Sequence, residues 1–185
     1  MTLQIPFDNT YARLGPGFYA KQGPVAVKAP RLAAFKQLPE NKALEALAID
    51  RRGHLFTLPE GAVTPGGAIP VWRWNGTGWS QPFSLPRRGK FKPVSADFGP
   101  DGKFYVLERD FTFFGFRSRL RRWAVTPAGL GSEETLLKTA AGTHDNLEGL
   151  SVWQDAAGRL RATMVSDDNF NALQVTELVE YALPD

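Results

Sequence analysis

Cysteine is absent from the 185 residues, and histidine and methionine occur only twice each. The first absence removes disulfides, thiolate metal sites and cysteine nucleophiles together, and it leaves the redox compartment unspecified. No apolar run approaches the roughly 18 residues that suggest a membrane span, so no membrane partner is expected. The opening stretch MTLQIPFDNTYARLG has no basic segment followed by an apolar core. No signal peptide is therefore expected, and the chain as written is expected in the cytoplasm. Nor is there a G-x-S-x-G elbow or a G-x-x-x-x-G-K-[ST] phosphate loop, and GPGFYA (15–20) lacks the third glycine of a dinucleotide site. His54 falls in a hairpin and His144 beside a turn aspartate, which leaves nucleophilic catalysis little support.

Glycine and proline are plentiful instead, at 18 and 14 residues, with 13 phenylalanines. That favours a turn-rich, all-β chain of one domain. The net charge of +3 is unevenly spread: residues 86–123 carry ten Lys/Arg against four Asp/Glu, and residues 124–185 carry three against ten. The basic runs RRGKFK (87–92) and RSRLRR (117–122) could meet nucleic acid or an anionic small molecule, but fit better as charges on solvated strand faces compensated by the acidic third. No nucleic-acid module is visible, so no nucleic-acid partner is expected.

Three stretches repeat one plan: LEALAIDRRGHLFTLPE (44–60), VSADFGPDGKFYVLE (94–108) and LEGLSVWQDAAGRLRATMVSD (147–167). Each is an apolar strand, a tight turn ending in Gly53, Gly102 or Gly158, and a second apolar strand ending near an acid. The turn glycines lie 49 and 56 residues apart, and a period of about 50 built from hairpins is the mark of propeller blades. PVWRWNGTGWSQPF (70–83) reads as two strands joined through Asn75-Gly76. RSRLRRWAV (117–125) and EETLLK (133–138) complete a second blade, and LQVTELVEYAL (173–183) alternates as one long final strand. The predicted fold is an all-β partial propeller of about three blades, with an irregular extension over 1–35. A closed ring typically takes about 4–8 blades; open blade edges are expected to favour self-association.

Two clusters carry candidate chemistry. Asp145, Asn146 and Glu148 precede the first strand of the third blade, and Asp167, Asp168 and Asn169 follow its partner. The hairpin brings them to one end, where Asp145, Asn146, Glu148 and Asp167 could offer oxygen ligands to Ca²⁺, the one candidate cofactor. The run lacks the D-x-D-x-D-G order of a calcium loop, and such residues equally cap turns. Glu45, Glu60, Glu108 and Arg109 sit at similar points of blades one and two. If that end faces the channel, Glu60, Glu108, Asp167 and Asp168 place acids at one mouth as general acid and base, with Arg109 beside them for substrate. The alternative for Glu108 is a local pair with Arg109 or with an arginine of 117–122 on the adjacent strand. Arg117, Arg119 and Arg121 share a strand face with Trp123; Arg119 and Arg121 are candidate phosphate-binding residues, against the plainer reading of a solvated or acid-paired face with arginine stacked on tryptophan.

LPENKALEALAIDRRGHLFTLPEG (38–61), FKPVSADFGPDGKFYVLERDF (91–111), DNLEGLSVW (145–153) and VSDDNFNALQVTELVEYAL (165–183) carry a resemblance. Through them residues 36–185 resemble the C-terminal half of the phytase-like propeller family, named for the esterase-like activity of phytase. The resemblance implies a hydrolase of small phosphate or carboxylic esters, and relatives that are usually exported. IPFDNTYARLGPGFYAKQGPVAVKAPRLAAF (5–35) is similar to the opening of the selenoprotein O family, whose nucleotide-binding and catalytic elements lie further along, so none of its activity carries over. The chain reads as a fusion joined near Phe35-Lys36. A non-catalytic propeller binding a ligand or protein, or an inactive fragment, are the alternatives.

Overall fold

The computed structural model describes residues 30–38 and 43–184. Most of the 1–35 extension therefore lies outside the described residues. Its described end carries a short 3-10 helix, Ala33–Gln37, whose buried Phe35 meets Trp72 and Trp79 edge-on at 5.1 Å. No helix among the described residues is long and apolar enough to cross a membrane.

Eleven strands among the described residues form three antiparallel sheets. The first is β1 (Leu44–Ile49), β2 (Leu55–Pro59), β3 (Ile69–Trp74) and β4 (Trp79–Leu85), paired in that order. The second is β5 (Lys92–Phe98), β6 (Phe104–Thr112), β7 (Gly115–Thr126) and β8 (Gly129–Lys138). The third is β9 (Leu147–Gln154), β10 (Leu160–Ser166) and β11 (Leu178–Ala182). Each sheet is one blade. The innermost strands β1, β5 and β9 pack side by side, as in the predicted partial propeller.

The repeat is visible atom by atom in the first turn of each blade. Gly53 N–H donates to the Asp50 carbonyl, Gly102 to Gly99 and Gly158 to Asp155, all at 2.9 Å, and all three glycines have φ near +80°. Asp50 and Asp155 accept turn N–H groups on their own carboxylates. The second blade has Gly99 there, because a Cβ would lie 2.7 Å from the Tyr105 ring and 2.6 Å from the Asp101 carboxylate.

Pleat alternation then explains the core. In β6, Phe104 and Val106 face blade one and join Phe56, Leu58 and Trp123; Tyr105 and Leu107 face blade three and join Leu147, Ala162 and Met164. A strand covered on both faces has no reason to alternate polar with apolar residues, which is why FYVL is buried throughout. Asp97 ties the second and third blades together, its carboxylate accepting the Val152 N–H at 2.7 Å. Burial raises its pKa, opposed by the Val152 and Phe98 N–H groups.

The last strand departs from expectation. Only Leu178–Ala182 is strand, because side chains capture the backbone upstream of it. Asp145 accepts the Val175 N–H at 2.7 Å, and the Ser166 hydroxyl donates to the Val175 carbonyl and accepts the Glu177 N–H. Groups held this way cannot enter a ladder.

Candidate functional site at the blade ends

Register places equivalent residues of the three blades at one mouth. Glu60 donates its N–H to the Ala43 carbonyl, Arg109 pairs with Lys92, and Asp167 donates its N–H to the Asn146 carbonyl. Near the start of each innermost strand the ladder skips one position, and these bulges carry Glu45, Val94 and Glu148. A bulge bends the strand and re-aims the extra side chain, so two blades present a carboxylate from the same irregularity.

Arg109 is the hub. Its guanidinium donates to Glu148 at 2.6 Å, to the Asn146 side-chain oxygen, and to Glu60 at 3.4 Å. Lys92 stands 3.7 Å from the same Glu60 oxygen, and Asn146 donates to Glu148 at 2.9 Å. One arginine of the second blade thus holds acids of the first and third. Glu45 shares this field without an ion pair of its own among the described residues: burial, then the charges of Glu60 and Glu148, push its pKa up to about 7, against the pull of Arg109. A carboxyl that titrates near neutrality can accept or give a proton.

The other expected site residues fall elsewhere. Glu108 does not reach the mouth. It lies one position before the register of Glu60, and in a strand one position reverses the face. It is 0% exposed, with Arg119 and Arg121 each 2.7 Å from its Oε2. Those two arginines are buried as well; Arg121 also donates to the Pro86 carbonyl and stacks on Trp123 at 4.7 Å, and Arg119 lies over Phe91 at 4.2 Å. Arg119 and Arg121 are acid-paired, as the plainer reading had it, but internal rather than on a solvated face, while Arg117 pairs with Asp110 and stays partly exposed.

The carboxylate clusters do meet, since Asn146 donates to the Asp167 carbonyl, yet they serve the turns. Asp168 accepts the Phe170 N–H and the Thr176 hydroxyl, and Asp167 accepts the Asn169 N–H. Both oxygens of Asp145 are engaged, by Gln174, Val175 and Asn146. Burial would raise the Asp145 pKa, but these three hydrogen bonds outweigh it and leave the pKa below its ordinary value. Glu148 faces the Arg109 cation. Among the described residues no three acid, cysteine or histidine side chains are grouped to hold a metal ion.

Next to the mouth a cleft of about 640 Å³ opens between the β6–β7 hairpin and the loops before β9 and β11. Phe116 lines it while its ring also lies 5.6 Å from the Arg109 guanidinium.

The architecture defines the class, a partial β-propeller with an acid-ringed arginine where its blades meet. The chain belongs to the phytase-like family, whose model, described as the esterase-like activity of phytase, matches residues 13–170. That match crosses the join expected near Phe35-Lys36. Two curated relatives are named protein nucleotidyltransferase YdiU. The one from Ruegeria sp. (strain TM1040) is 50% identical over 74 residues, 38% of this chain and 15% of that protein. The one from Ruegeria pomeroyi is 36% identical over 98 residues, 52% of this chain and 18% of that protein. The chain thus spans less than a fifth of either. Among solved structures, a glucose dehydrogenase superposes with a TM-score of 0.50 at 14% identity, covering 74% of this chain and 43% of that one. The soluble aldose sugar dehydrogenase of Escherichia coli does so at 0.50 and 13%, covering 75% and 44%. Likeness at that identity establishes the fold alone.

Proposed function

We propose that the chain is the part of a phytase-like propeller hydrolase that activates water against a small ester, with Glu45 as general base and Arg109 facing the developing negative charge. The observation that carries this is the placement of Glu45 between Glu60 and Glu148, which with burial lifts its pKa to about 7 beside a cationic hub. Above that pH the Glu45 carboxylate takes a proton from water as the oxygen attacks the carbonyl carbon or phosphorus. The proton passes to the leaving oxygen as the ester bond breaks. Arg109 and Lys92 supply the positive charge that such a transition state needs. The activity in the curated relatives' name is not carried over, because the shared stretch spans so little of them.

One observation favours a second reading, a propeller that does not catalyse: Arg109 is already bonded to Glu60, Asn146 and Glu148, and would have to exchange a partner to meet substrate. Turnover decides between the two. Purified chain is assayed with p-nitrophenyl acetate, p-nitrophenyl phosphate and phytate. The hydrolase reading expects kcat/KM to rise with pH through about 7, and Glu45→Gln to lose about 10²–10⁴-fold at pH 8 with an unchanged unfolding midpoint at pH 4. Cooperatively folded protein without turnover on any of the three would leave the non-catalytic reading.

A further inference from the structure

The cleft beside the mouth has a chemistry of its own. Its apolar wall comes from Phe111, which is 70% exposed, Leu173, which is 93% exposed, and the ring of Phe116. Its polar wall comes from His144, Asp145 and Glu177, and no lysine or arginine among the described residues lines it. The acids are held in place by hydrogen bonds, with no lysine or arginine partner among the described lining residues. Glu177 accepts the Asp145 N–H at 2.7 Å, and Asp145 is fixed by the hydrogen bonds of Gln174, Val175 and Asn146, which keep it ionised. His144 meets the Tyr181 hydroxyl at 2.7 Å and stands 3.6 Å from Glu177. Arg109, 5.6 Å from the ring of Phe116, is already compensated by Glu60 and Glu148.

We propose that this cleft is a binding site for a small amphipathic organic cation, an alkyl- or arylammonium whose apolar body lies on Phe111, Phe116 and Leu173 and whose charge faces Glu177 and Asp145. The volume, about 640 Å³, is that of a small-molecule site rather than of a protein groove. The aromatic wall suits a cation as well as an alkyl chain, since ring faces attract positive charge. Two carboxylates with no lysine or arginine among the described lining residues disfavour an anion in the same place.

Binding is measured on the full chain by calorimetry, with three probes of one shape: phenethylammonium, phenethyl alcohol and phenylacetate. The amine is expected to bind about tenfold more tightly than the alcohol, and the acid not at all. Glu177→Gln keeps the oxygen that accepts the Asp145 N–H and removes the charge, so it is expected to erase the preference for amine over alcohol. Phe111→Ser changes an exposed ring, leaves the fold intact, and is expected to weaken amine and alcohol alike. Equal affinity for the three probes, no binding up to millimolar amine, or an amine affinity untouched by Phe111→Ser would each overturn the assignment. The readout is binding, so it stands or falls separately from ester hydrolysis.

Discussion

Glu45 concentrates the behaviour of the mouth in one carboxyl. Its pKa in the folded chain, about 7, lies above the ordinary 4.5, so folding takes up a proton between those values. A raised acid contributes its full stability below pH 4.5 and loses it as pH rises through about 7. Glu45→Gln is therefore expected to leave the unfolding temperature unchanged at pH 4 and to raise it at pH 8. Because Glu45 is only half-buried, solvent screening limits the gain to a few degrees, about 1 kcal/mol or less. A parent and variant whose melting curves keep the same separation from pH 4 to pH 8 would refute the shifted carboxyl. The members of this site were individually visible in the sequence: Glu45, Glu60, Arg109, Asn146 and Glu148 all stand at strand ends in the repeat. Their arrangement was not. A bulge leaves no mark in a short strand, so the match of Glu45 to Glu148 emerges only from the ladder. Lys92 gave no signal, since its pairing with Glu60 joins two blades.

Blades, by contrast, were legible as elements. The three Gly turns announced three hairpins, and Asn75-Gly76 marked the β3–β4 connection, where Asn75 accepts the Thr77 and Gly78 N–H groups. What the sequence misplaced was register by one residue, at Glu108, and length, at β11. The two errors differ in cause: one position along the strand turns Glu108 to the inner face, where Arg119 and Arg121 pair with it, and Asp145 and Ser166 capture the backbone that would have extended β11. The Glu108 cluster also predicts how blade two resists unfolding. Arg121→Met leaves a buried carboxylate with Arg119 as its remaining arginine, and such a change typically costs about 3–5 kcal/mol, a large part of a domain's stability. Replacing the pair together, as Glu108→Leu with Arg121→Met, removes the orphaned charge and is expected to cost less than Arg121→Met alone. Urea unfolding of the two variants checks this; a double variant at least as damaged as the single one would show that packing, not the charge, sets the cost.

Taken whole, the molecule has an unequal pair of ends. Phe35 and its helix pack onto Trp72 and Trp79 of the first blade. The third blade carries exposed Trp153, Val165 and Leu178 on successive strands, and β11 pairs only with β10 among the described residues. β3 and β7, in the same place in their blades, each have an outer neighbour. A free strand edge offers unpaired N–H and C=O groups to another chain, and apolar side chains next to it add area to the contact. Self-association is therefore expected to run through β11. Leu178 is 76% exposed on that strand, so Leu178→Lys places a charge on the edge without disturbing the core. Light scattering coupled to size exclusion should show the parent chain growing in mass with concentration and Leu178→Lys remaining monomeric, with equal melting temperatures. A parent that is monomeric at all concentrations would mean that the edge is already covered; association that survives the lysine would place the contact on another face.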